Sequence, residues 1–125
     1  MAPLFLWAIA YYVGSRGPIR SLWEDPVRLV LDDRGVAWTL TGDRSGFASW
    51  DEVGGMSSDM DWRGPWRSLR RRDGAELVTV RGPFVDETTG RTVALPMLLV
   101  RLRPELFEPL DPRHPDRACV RRASA

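Results

Sequence analysis

Residues 27–53, VRLVLDDRGVAWTLTGDRSGFASWDEV, alternate in hydrophobicity with a period of two and are interrupted at two points by Asp- and Gly-bearing turns. Val27, Leu29 and Leu31 alternate with Arg28, Val30 and Asp32, and Val36, Trp38 and Leu40 alternate with Ala37, Thr39 and Thr41. This is the pattern of strands with one buried face. Asp32-Asp33-Arg34-Gly35 puts Asp at the first turn position and Gly where a positive φ is wanted, so the first two strands close as a hairpin. Residues 41–46 form a looser loop of the same kind, and residues 47–50 read as a third strand running into Trp50-Asp51-Glu52-Val53. Such a meander builds a small antiparallel scaffold. Nothing along it gathers the nucleophiles, bases or ligands that catalysis needs.

The second half continues in short pieces. Residues 54–61, GGMSSDMD, read as a loop separating two sub-sheets. Residues 66–72 and 76–81 predict a hairpin across Arg72-Asp73-Gly74-Ala75. Gly82-Pro83 ends it, residues 86–90 turn again, and residues 91–95 read as a further short strand that Pro96 stops. Leu98, Leu99, Leu102, Leu106 and Leu110 keep roughly helical spacing, but Pro104 falls inside that run. The expected arrangement is a strand or irregular piece through Leu102 and a short helix from Pro104, with Glu105 and Glu108 in its first turns. Residues 111–125 are polar and hold Pro112 and Pro115, which predicts a disordered tail.

Ahead of the meander, residues 1–13 carry no charged side chain and the next ionisable residue is Arg16. Thirteen helical residues span roughly 20 Å, whereas a hydrocarbon core of about 30 Å calls for roughly 20 residues. Three readings stand: the last turns of a truncated membrane helix, a shallow interfacial anchor, or an apolar arm packed on the domain. Trp7, Tyr11 and Tyr12 favour a headgroup zone, and Arg16 and Arg20 would keep the following domain cytoplasmic if the segment inserts. Ile19, Leu22 and Trp23 then suggest a short amphipathic helical piece that ends at Asp25-Pro26. The expected organisation is an apolar segment at 1–17, a β domain at 18–110 and a tail at 111–125.

Composition bounds the function. With 125 residues, 43% hydrophobic, and six Trp, one compact core needs no disulfide staples. All 18 cations are Arg and the net charge is +1, so Arg enrichment reflects a GC-rich, bacterial codon bias and no global field draws the chain to a polyanion. Cys119 and His114 are the sole residues of their types, both in the expected tail, and are too few for a disulfide or a zinc site. Gly54-Gly55 lacks the Gly-Lys-Ser/Thr of a phosphate-cradling loop, and Ser57 and Ser58 have no base beside them. No enzyme, metal site or cofactor follows from these residues.

Taken together, Leu29 to Leu31, the Asp32-Asp33-Arg34-Gly35-Val36 turn, a Gly-bearing loop and Gly46 to Trp50 running into Asp51-Glu52-Val53 resemble the bacterial pleckstrin-homology-like domains, particularly the membrane-anchored members. Trp23-Glu24-Asp25-Pro26 matches the Pro-containing linker before their first strand, and the likeness covers about residues 20 to 110. It implies a mainly β (α+β) fold: a bent antiparallel sheet, nearly a barrel, of about six to seven strands, capped by a short C-terminal helix. It further implies a platform that docks lipid, peptide or protein. The apolar N-terminus is shorter than the paired membrane helices of those relatives, and the capping helix is interrupted at Pro104.

One cluster could carry such docking. Trp62, Arg63, Trp66, Arg67, Arg70, Arg71 and Arg72 put five Arg and two Trp within eleven residues, with no carboxylate among them. Arg forks suit phosphate and indoles suit headgroups. Equally, the Arg could pair with Asp59, Asp61 and Asp73 on a solvated hairpin while the Trp pack inward. The expected function is a non-catalytic docking module at the cytoplasmic face of a bacterial membrane, binding anionic lipid or a protein partner. The rival is a soluble interaction or immunity-like subunit that uses its N-terminal arm or a strand edge. Nucleic acid is not an expected ligand, because a stacking platform would come with a wider basic groove.

Overall fold

The computed structural model describes residues 19–22 and 27–125. The expected meander is present as β2 (Arg28–Leu31), β3 (Gly35–Thr39) and β4 (Ser45–Ser49), each antiparallel to the next. Its register sets Leu29 opposite Trp38 and Leu31 opposite Val36, so the apolar alternates share a face. Leu29, Leu31 and Val36 are buried there, and Arg28 and Val30 face solvent. A carboxylate oxygen of Asp32 closes the first turn by accepting the amide protons of Arg34 at 2.8 Å and Gly35 at 3.2 Å. Trp50, 5% exposed, donates its indole N–H to the Asp32 carbonyl at 2.8 Å. Asp51 and Glu52 are exposed in the turn between β4 and the strand that follows, and Val53 is buried.

From Val53 the chain builds a second sheet. β5 (Val53–Asp61), β6 (Gly64–Arg71) and β7 (Glu76–Arg81) pair in sequence, and β10 (Phe107–Pro109) and β11 (Ala118–Arg121) extend them to the order β10-β11-β5-β6-β7. The first sheet is widened by β1 (Ile19–Ser21), β8 (Phe84–Asp86) and β9 (Thr92–Val93) to the order β4-β3-β2-β1-β8-β9. Helix α1 (Leu95–Leu102) packs on β5, β10 and β11. The described residues therefore form a mainly β fold of two antiparallel sheets and one short helix, without closing as a barrel. Ile19, Leu29, Leu69, Phe84, Leu99 and Phe107 join both sheets and the helix in one core. Phe107 meets Trp50 edge-on with centroids 5.9 Å apart, and Arg121 ties β11 to the carbonyls of Trp50 and Val53 at 2.5 and 3.0 Å.

Several expectations are corrected. Residues 54–61 are not a loop but most of the nine-residue strand β5, which lies between β11 and β6. Their Gly pair is what permits this: a Cβ at Gly54 would sit 2.2 Å from the Arg71 carbonyl oxygen, and one at Gly55 2.3 Å from that of Cys119. Residues 19–21 are extended, because Ile19 and Ser21 point inward and the backbone finds partners on both sides in β2 and β8. Two-sided pairing outweighs a helical spacing carried by three apolar residues. Trp23 and the apolar 1–17 segment, with its three readings, lie outside the described residues.

The C-terminal expectations change most. The helix begins at Leu95, with Pro96 in its first turn where no N–H is needed, and ends before Pro104; of the strand expected over residues 91–95 only the two-residue β9 forms, and Leu95 already belongs to the helix. The polar stretch 111–125 is not a disordered tail, since β11 runs through Cys119, which is buried at 2% exposure and pairs with Met56. The ordered structure thus passes Leu110 and reaches Arg121.

Candidate functional site

The β5–β6 hairpin projects beyond its neighbours. β11 pairs with β5 only at residues 55–57, and β7 pairs with β6 no further than Trp66, next to the 3.0 Å bond from the Gly82 amide to the Pro65 carbonyl. β5 and β6 continue to pair with each other out to Asp61 opposite Gly64. Residues 59–64 are therefore a two-stranded finger. The turn follows from local chemistry: an Asp61 carboxylate oxygen accepts the Arg63 amide at 2.9 Å, and Gly64 takes a φ of +105°.

At its tip Trp62 is 91% exposed and Met60 70% exposed. The Arg63 guanidinium lies 5.5 Å from the Trp62 ring centroid, a cation–π distance that holds indole and charge together. The finger is braced near its tip by Arg81, whose guanidinium grips the Asp61 carboxylate in a fork with N···O distances of 2.9 and 2.7 Å. The hydrogen bond from Arg81 is the first cause of a lowered Asp61 pKa of about 2, against an ordinary 3.8; the Arg63 amide and charge add to it, and burial opposes it. A carboxylate lowered in the folded state stabilises the fold above its ordinary pKa, and that contribution is lost as pH falls through about 2. Carbon-13 NMR titration of Asp61 is expected to give a midpoint near 2 in the wild type and a clearly higher one in Arg81→Ala, where the Arg63 amide and charge still act on the carboxylate. A wild-type midpoint at the ordinary value would remove the brace.

The seven residues singled out in the sequence do not form one patch. Along β6, Trp66 and Arg70 alternate to the face opposite Leu69, whereas Arg67 shares the side of Leu69. Arg67 is half-buried, with its pKa lowered by desolvation and partly restored by the charge of Asp116. Arg70 reaches the Ser57 hydroxyl at 3.5 Å and the Gly74 carbonyl at 3.3 Å, and Arg72 donates to the Ala125 carbonyl at 2.8 Å. Arg71 and Arg72 lie at the far end of β6 from Trp62, roughly 25 Å away at about 3.3 Å per residue. That is several Debye lengths of about 8–10 Å, so the two ends act separately. The carboxylates expected to neutralise the cluster are engaged elsewhere: Asp61 with Arg81, Asp59 with the Met60 amide, and Asp73 with the Ala75 amide. Met60 escaped the sequence reading because its segment read as a loop.

Chemistry-bearing groups outside the hairpin are sparse. The Cys119 thiol is pushed up to about 11 by burial, which keeps it neutral, and His114 is exposed. Among the described residues no cluster of three or more His, Cys, Asp or Glu could hold a metal, and no helix is long and apolar enough to cross a membrane. Comparison with protein-family models, curated proteins and solved structures finds no match for this chain.

Proposed function

We propose that this chain is a non-catalytic, pleckstrin-homology-like docking module that holds the anionic cytoplasmic face of a bacterial membrane with the tip of its β5–β6 hairpin. One observation carries the reading: an indole 91% exposed at the end of a braced finger that outreaches the strands beside it. A water-exposed Trp beside an exposed Met raises the free energy of the free protein, and a headgroup layer relieves it by taking the ring while Arg63 meets phosphate. Burying half of an indole's roughly 200 Å² at about 25 cal/mol per Å² is worth about 2.5 kcal/mol, or roughly 60-fold in partitioning.

The test is co-sedimentation with phosphatidylglycerol–phosphatidylcholine vesicles. Trp62→Ala is expected to lose most of the bound fraction, whereas Arg70→Ala, Arg71→Ala and Arg72→Ala together retain most of it because they lie at the other end of the strand. Failure of the wild type to sediment, or equal binding by Trp62→Ala, would overturn the reading. A second reading, a soluble subunit that adds a partner's strand to its own sheet, is favoured by β4. Among the described residues its outer edge is unpaired, and it carries Phe47 at 50% exposure.

A further inference from the structure

A groove crosses helix α1 on a part of the molecule that the docking reading does not use. Its first recess, of 460 Å³, lies between the β8–β9 turn and the start of α1, walled by Val93, Met97 and Leu98 with Arg91 and Arg101 at its side. Its second, of 270 Å³, is lined by Val100, Pro109 and Pro115. Met97 and Arg101 belong to both recesses, so the two adjoin across them. Arg91 and Arg101 are exposed, and among the described residues neither guanidinium has a hydrogen bond or ion pair. The carboxylate within the groove, Asp86, is buried and accepts the Thr88 amide at 2.8 Å. A groove of mixed lining, with Thr89 and Thr92 beside its apolar side chains, is thus flanked by two cations without carboxylate partners among the described residues.

We propose that this groove docks an extended, acidic segment of a partner protein, with apolar side chains in the recesses and, at other positions on the same side of the segment, carboxylates on Arg91 and Arg101. In an extended chain, side chains two residues apart point the same way and are about 7 Å apart, so the recesses and the Arg beside them take alternate residues of a strand-like peptide. Charge complementarity selects the occupant: Arg forks without partners call for carboxylates. Residues 1–18 contain neither Asp nor Glu, so the chain's own N-terminal segment cannot supply them. The apolar walls add area burial, and 460 Å³ falls within the size range of recognition pockets.

The experiment is an amide NMR titration of the full-length chain with a peptide of Leu-Ser-Glu-Ser repeats, which sets Leu and Glu on one side of an extended chain, alongside one with Gln in place of each Glu. Shifts are expected at Thr92, Val93, Met97 and Arg101 with the Glu peptide, and binding about tenfold or more weaker with the Gln peptide. Arg91→Glu with Arg101→Glu should abolish Glu-peptide binding and admit a peptide with Lys in place of each Glu instead; both side chains are exposed, so the fold is retained. Trp62→Ala should leave all of this unchanged, which separates the groove from the hairpin. Absence of shifts, shifts centred on residues 62–72, equal binding of the Gln peptide, or vesicle binding that depends on Arg91 and Arg101 would each overturn the proposal.

Discussion

Phe107→Ala is expected to lower the free energy of unfolding by about 3–5 kcal/mol, a large part of the roughly 5–15 kcal/mol that holds a domain of this size together. Phe107 is fully buried, and its ring is enclosed by Trp50 edge-on at 5.9 Å and by the Arg121 guanidinium at 5.8 Å. Truncation opens a cavity between the end of the first meander and the C-terminal strands, and those neighbours cannot collapse into it freely. Trp50 is held by its bond to the Asp32 carbonyl, and Arg121 by the carbonyls of Trp50 and Val53. Urea unfolding followed by Trp fluorescence measures the loss, and Phe107→Leu should recover most of it. A loss under about 1 kcal/mol would mean that the residues after α1 are not part of the core.

Gly55→Ala is expected to be nearly as damaging for a different reason. A methyl there would lie 2.3 Å from the Cys119 carbonyl oxygen and 3.1 Å from the Val120 Cα, on a backbone whose φ of +152° side chains rarely adopt. Overpacking and backbone strain each cost about 1–3 kcal/mol, so the combined expectation is about 2–6 kcal/mol. The cheapest relief is for β11 to leave the sheet. That outcome has its own signature, because Cys119 sits buried on β11 with its thiol held neutral. Alkylation of Cys119 should be negligible in the wild type and rapid in Gly55→Ala while the far-UV circular dichroism stays near native. An unchanged melting temperature with an unreactive thiol would show that the strand contact is looser than these distances state.

Both results bear on function, since the finger depends on the sheet that the C-terminal strands complete. β11 flanks β5 just below the point where the hairpin becomes free, and the Ser58 hydroxyl donates to the Arg117 carbonyl at that junction. A chain that loses β11 is therefore expected to present Trp62 on a less rigid support and, under the proposed membrane docking, to bind vesicles more weakly through ordering cost rather than through lost contact.

The local chemistry of the first half was legible without coordinates. The period-two alternation of Val27, Leu29, Leu31 and Val36, the Asp32 turn and the inward Trp50 and Val53 all follow from contacts within a few residues or from a face that one strand pair defines. The cluster at 62–72 was legible as composition but not as geometry. Its residues divide between two faces of β6 and two ends of a strand, and register, not proximity in sequence, decides which can act together.

Residues 54–61 and 111–121 are polar, Gly- or Pro-bearing, and carry no periodicity, so by themselves they describe a loop and a tail. Residues 54–61 become a strand because β6 pairs with them along their length and β11 flanks residues 55–57, and residues 118–121 because β5 and β10 lie on either side, with Gly54 and Gly55 allowing the close approach of β6 and β11 and Cys119 filling the core behind them. The sequence alone determined a mainly β chain, a hairpin-stitched first sheet and an aromatic interior, because turn chemistry and alternation are local. Tertiary structure alone decided the order of the second sheet, the freedom of the Trp62 finger and the groove over α1. Those depend on which backbone edges and side chains meet across 50 or more residues, as when Arg121 reaches Trp50, and no local preference encodes such a meeting.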